Sequence, residues 1–121
     1  MPRPTILIAE PEPQQALSTR KLVVETGKFN VLTAHSTQEA LDIFSLFPQI
    51  SAVVLVISEA VHADLVASTI KSARSDLPVI CLTPSNGRGC LKSDYTISSF
   101  EPQQLLDRLR SLLGDPRNIG A

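Results

Sequence analysis

The sequence has neither a long apolar run nor a block of charges of one sign. Its longest apolar run, Ala52 to Ile57, is far shorter than the roughly 20 residues that span a bilayer, and the apolar stretch near Met1 is too short for a signal peptide. Its 11 basic and 12 acidic residues are scattered, so no patch favours nucleic acid or an anionic membrane. We therefore expect a cytoplasmic chain that contacts neither directly.

Cysteine is also scarce. Cys81 and Cys90 have no CxxC spacing and no nearby pair of histidines, which argues against a disulfide framework and against a zinc site. We expect two free thiols, with Cys81 buried.

The hydrophobic content of 43% is enough for one compact domain, and 121 residues are too few for two.

Strand-like apolar runs alternate with amphipathic helical patterns along the chain. The runs predict strands at 5–9, 29–34, 51–58, 78–83 and 95–97, and helices at 14–26, 36–47, 62–73 and 102–113. This order predicts an α/β fold with one doubly wound, five-stranded parallel sheet and a ligand crevice at the carboxyl ends of the strands. We expect the domain over residues 1–114 and a polar tail at 115–121.

Two of the helices show a predicted core face. In the second helix, which follows a capping box at Ser36 and Glu39, the face comprises Ala40, Leu41, Phe44 and Phe47. In the third helix it comprises Leu65, Val66, Thr69, Ile70 and Ala73.

Four stretches together carry a family resemblance: "ILIAEPEP", the strand that ends at Val56, "LPVICLTP" and "DYTISSFEPQQLLDRLRSLL". They resemble the receiver domain of two-component response regulators, which has a flavodoxin-like fold. The resemblance extends from Thr5 to Gly114. Its most specific part is the frame at Asp94 to Leu106, because receivers typically continue from "DY" through two residues, Lys-Pro-Phe and an acid into a leucine-rich helix.

The resemblance implies a degenerate phosphorylation pocket. A working receiver holds magnesium with two acids after the first strand and an aspartate that ends the third, and that aspartate accepts the phosphoryl group beside a lysine. In this sequence Glu10 matches the first acid, but the second falls on Pro11, the phosphoacceptor on Val56 and the lysine on Ser98. Thr83 keeps the hydroxyl at the end of the fourth strand.

These three losses together indicate that the chemistry has been abandoned. We expect a pseudo-receiver of bacterial two-component signalling that is not an enzyme, needs no cofactor or metal, and acts by contact with a protein or with itself. Glu10 and Glu12 are interpreted as solvated loop acids or first-turn acids. Two alternatives stay open: a receiver with residual phosphoryl or metal chemistry, and a flavodoxin-like binder of a phosphate-bearing cofactor such as FMN. The cofactor-binding alternative requires a Gly/Ser/Thr-rich loop after the first strand to bind phosphate, and "EPEPQQ" is not such a loop.

The connection before the predicted fifth strand is short. Residues 84–94 stand where receivers place their fourth helix, and a parallel crossover usually needs a dozen residues or more. We therefore expect that helix to be shortened or missing, and apolar surface near it to form a partner face. The candidate residues of this face are Cys90, Leu91, Tyr95, Ile97, Leu105 and Leu109.

Overall fold

A computed structural model of the chain describes residues 4–10, 24–47, 49–57, 61–83, 93–98 and 102–114. Its strands are β1 (Thr5–Ala9), β2 (Asn30–Ala34), β3 (Ala52–Val56), β4 (Val79–Thr83) and β5 (Tyr95–Ser98). Its helices are α1 (Thr37–Leu46), α2 (Ala63–Ala73) and α3 (Pro102–Leu113), and residues 24–26 are also helical.

The five strands form one parallel sheet in the order β2-β1-β3-β4-β5. The predicted α/β fold and its five-stranded parallel sheet are thus confirmed. Most of the connection between β4 and β5 lies outside the described residues, so the shortened helix there stays a prediction, as do the helix over 14–23 and the tail at 115–121. None of the helices in the described ranges is long and apolar enough to cross a membrane.

The sheet separates two layers of core. Strands β3 and β4 are buried at every position, which explains their near-continuous apolar sequences. On one face α1 and α2 pack over side chains such as Leu7, Leu55 and Cys81. The predicted burial of Cys81 is confirmed. On the other face Leu105, Leu106 and Leu109 of α3 pack over alternate residues of the same strands.

The predicted capping box forms at the start of α1. Ser36 is the N-cap, and its hydroxyl oxygen accepts a hydrogen bond from the Glu39 N–H at 3.1 Å. In return, Oε1 of Glu39 accepts from the N–H of His35, the residue before the cap, at 3.3 Å. Both interactions satisfy backbone donors that have no partner inside the helix.

The predicted core faces of α1 and α2 need correction. Phe47 is 42% exposed, because it is the C-cap of α1, where the helical dihedral angles have already ended. In α2 the predicted face is wrong at Leu65, Thr69 and Ala73, which are exposed, Leu65 by 52%. The face of α2 that packs on the sheet is instead formed by Ala63, Val66, Ala67 and Ile70. The small side chains of the two alanines allow close contact, and the helix turns this stripe inward rather than the bulkier Leu65.

Candidate functional site

The strand register brings the predicted pocket positions to one edge of the sheet. Ala9 pairs with Leu55, so Glu10 follows β1 at the level where Val56 ends β3. Val56 pairs with Leu82, and the next residue of β4, Thr83, pairs with Ser98 of β5. Glu10, Val56, Thr83 and Ser98 thus lie along the carboxyl edge of the sheet, where open α/β sheets bind ligands. Their predicted roles remain predictions, and Pro11 lies outside the described residues.

Val56 is part of the hydrophobic core. Its side chain is 7% exposed and belongs to the same apolar cluster as Ile8, Ile80 and Leu82. Burial of a valine stabilises the fold by roughly 1.5–3 kcal/mol relative to exposure. Its isopropyl group offers no metal ligand and no nucleophile, so it forms an apolar wall at the middle of the edge.

Glu10 is not the solvated loop acid that was predicted. The residue is only 1% exposed. Its N–H donates to the Ala34 carbonyl at 2.9 Å, which extends the hydrogen bonding between β1 and β2 by one residue. Thr83 is also buried, at 4% exposure. The described part of the edge therefore combines one buried carboxyl group and one buried hydroxyl group with the apolar side chain of Val56. Glu12 lies outside the described residues.

His35 also contributes to this edge. Its Nδ1 lies 3.2 Å from the carbonyl oxygen of Glu10, which links the end of β1 to the start of α1. Nearby, the Thr37 hydroxyl accepts from the N–H of His62 at 2.8 Å and joins the starts of α1 and α2. The only sequence signal for His35 is its place just before the N-cap Ser36. Within the described ranges, no three His, Cys, Asp or Glu side chains are grouped to hold a metal ion.

No family model and no curated protein matches the chain. Among solved structures, the response regulator TrrA from Thermotoga maritima, in complex with Mg²⁺-BeF, is 28% identical; the match covers 91% of this chain and 99% of that one, with a TM-score of 0.72. TrrA in complex with the histidine kinase ThkA matches at 26% identity, covering 91% and 98%, with a TM-score of 0.71.

A CheY-like receiver domain from Methanospirillum hungatei matches at 18% identity over 98% of this chain and 100% of that one, with a TM-score of 0.75. The chain has the response regulator receiver fold. In this receiver fold, β3 ends at the buried Val56, and Glu10, Thr83 and Ser98 lie along the same carboxyl edge of the sheet.

The predicted partner face is wrong for three of its residues, because their side chains are buried. Ile97 is 8% exposed, Leu105 1% and Leu109 0%, because the leucine stripe of α3 covers β5 and β4 rather than facing outward. These three residues are core residues of the monomer. Tyr95 is half-buried, and the guanidinium of Arg108 lies 4.6 Å from the centre of its ring. Cys90 and Leu91 lie outside the described residues.

Proposed function

We propose that the chain is a pseudo-receiver: a phosphorylation-independent module of the response regulator receiver family that signals by protein–protein contact and is not an enzyme. The observation that carries this proposal is Val56, which is 7% exposed at the end of β3, where the resemblance places the phosphoacceptor aspartate. The Val56 side chain belongs to the apolar cluster between the sheet and α3, so the position contributes to the fold instead of to chemistry.

The chemical requirements of a receiver support the same proposal. Phosphoryl transfer needs a nucleophile, a divalent cation with hard oxygen ligands, and a counter-charge for the transferred group. Val56 provides no nucleophile, Pro11 has no side-chain oxygen, and Ser98 has no positive charge. Glu10 and Thr83 keep the required residue types, but a single carboxyl group is a poor magnesium site.

The partner proposed for the module is a protein. TrrA, which shares this fold, is found in a complex with the histidine kinase ThkA. By extension, we place this chain in a bacterial two-component pathway of the cytoplasm, where it contacts a signalling protein or a second copy of itself. Such contact needs no bound cofactor and no chemical step at the carboxyl edge.

A magnesium titration tests the loss of the metal site. By isothermal calorimetry, we expect no saturable heat when Mg²⁺ is added to the chain at physiological concentrations, because the edge offers too few oxygen ligands. TrrA, titrated under the same conditions, is the positive control. Saturable binding to this chain that is abolished by Glu10→Gln would contradict the proposal and favour residual metal chemistry.

A further inference from the structure

Strand β2 lies at the edge of the sheet opposite β5, and its hydrogen bonds show which residues face outward. The N–H of Asn30 donates to the carbonyl of the residue before β1 at 3.0 Å, and the C=O of Ala34 accepts from the N–H of the residue after β1 at 2.9 Å. Both ends of β2 thus bond to β1, and because backbone groups alternate along a strand, Leu32 does so too. The N–H and C=O groups of Val31 and Thr33 therefore point away from the sheet.

The sequence of β2 lacks the charges and the proline with which natural edge strands prevent pairing. Asn30–Ala34 has no residue of either kind, and two of its five residues are β-branched. Val31 and Leu32 are only partly buried, although Val31 packs on the core cluster under α3 and Leu32 on the cluster under α1 and α2. Apolar surface therefore remains at this edge on both faces of the sheet, where an added strand would cover it.

A second copy of β2 matches this edge in the antiparallel direction. About a two-fold axis beside Leu32, Val31 of each copy lies opposite Thr33 of the other, and these two pairs exchange four main-chain hydrogen bonds. The two Leu32 residues then face each other at a non-hydrogen-bonded position, with their Cα atoms about 4.5 Å apart. This register gives a partner to every outward N–H and C=O group of Val31 and Thr33, so the strand is complementary to itself.

The charges beside β2 favour the same antiparallel direction. Lys28 lies two residues before β2, Glu39 lies in the first turn of α1, and both side chains are exposed. In the antiparallel pair, Lys28 of each copy is level with Ser36 of the other, so its ammonium group lies near the carboxylate of Glu39 in the other copy. A parallel arrangement would instead place like charges side by side.

We propose that two copies of the chain associate through the outer edges of β2 into a symmetric dimer. The contact joins the two five-stranded sheets into one continuous sheet and leaves β5 at both of its ends. This inference rests on the proposed function as a contact module, and it adds the identity of the partner and the location of the contact.

Sedimentation equilibrium of the whole chain, from micromolar to millimolar concentration, tests the association. We expect the mass to rise with concentration from the 13.1 kDa of one chain to twice that value. Thr33→Pro removes an N–H that the sheet of one copy does not use, and it should keep the chain monomeric. Lys28→Glu should weaken association about tenfold. Arg108→Glu makes the same charge reversal on exposed surface beside β5 and should leave association unchanged.

Cysteine cross-linking tests the register. In a chain with Cys90→Ser, Leu32→Cys places two thiols across the two-fold axis within disulfide reach, so mild oxidation should give a cross-linked dimer. The remaining Cys81 is buried. Val31→Cys is the matched control, because Val31 is also partly buried, but its two copies are diagonal neighbours about 7–8 Å apart and should cross-link far less.

Several results would overturn the proposal. They are the mass of a single chain at every concentration, equal cross-linking of the two cysteine variants, or dissociation by Arg108→Glu instead of Lys28→Glu. If Thr33→Pro does not fold, the charge variants and the cysteine pair still decide the matter. A monomeric chain would leave a negative magnesium titration standing, whereas saturable magnesium binding would remove the proposed function without changing the mass.

Discussion

Val56→Asp is expected to destabilise the domain by about 1–3 kcal/mol and to leave it unable to accept a phosphoryl group. The first effect follows because the carboxyl group would enter a cluster of buried aliphatic side chains at a position that is 7% exposed. The second follows because Pro11 would still provide no metal ligand and Ser98 no counter-charge. Chemical denaturation measures the loss, and intact mass after incubation with a small phosphodonor measures the absence of reaction.

Ile57→Asp is the matched control for this variant. Ile57 is the next residue along the chain but is 36% exposed, so its carboxylate would remain in contact with water and the cost should be clearly smaller. Equal denaturation midpoints for Val56→Asp and for the unaltered chain would show that the side chain at position 56 is not packed in the core. A phosphorylated Val56→Asp protein would show that the remaining pocket still functions.

Leu109→Ala is expected to cost about 2–5 kcal/mol of unfolding free energy, the largest effect of any single change considered for α3. Leu109 is fully buried and belongs to the cluster that joins α3 to the sheet. Truncation leaves a cavity in addition to the loss of apolar burial, because the backbone around β4 and β5 can collapse only in part. Urea denaturation with an unchanged m-value would measure this cost.

Leu112→Ala provides the comparison, since Leu112 is only partly buried at the end of the same stripe, and the cost should fall accordingly. The pair also decides between the core position of Leu109 and the partner face predicted from the sequence. If Leu109→Ala kept full stability and lost only partner binding, Leu109 would be an interface residue after all.

The sheet was predictable because of how parallel strands are buried. Strands covered by helices on both faces, such as β3 and β4, are continuous apolar runs in the sequence. The positions of these runs alone predict the positions of the strands. The start of α1 was predictable because a capping box needs only Ser36 and Glu39 at fixed spacing. Both signals are local, and neither depends on distant contacts.

Other features depend on packing that the sequence pattern does not contain. The rotation of α2 that buries Ala67 and exposes Leu65 is set by the fit of the helix on the sheet, not by hydrophobicity alone. The burial of Glu10 and its link to His35 arise only when β1, β2 and α1 come together. Arg108 over Tyr95 likewise joins two elements whose contact is tertiary.

The most direct test of the pseudo-receiver proposal is the intact mass of the unaltered chain after incubation with Mg²⁺ and a small phosphodonor. Exposure to acid before the measurement is kept short, because an acyl phosphate hydrolyses in acid. A receiver with a known phosphorylation site, carried through the same steps, shows that the donor is active. We expect the mass of this chain to stay that of the unmodified polypeptide, because the position that would accept the group is the buried Val56. A stoichiometric gain of one phosphoryl group that hydroxylamine removes, as it does from an acyl phosphate, would contradict it.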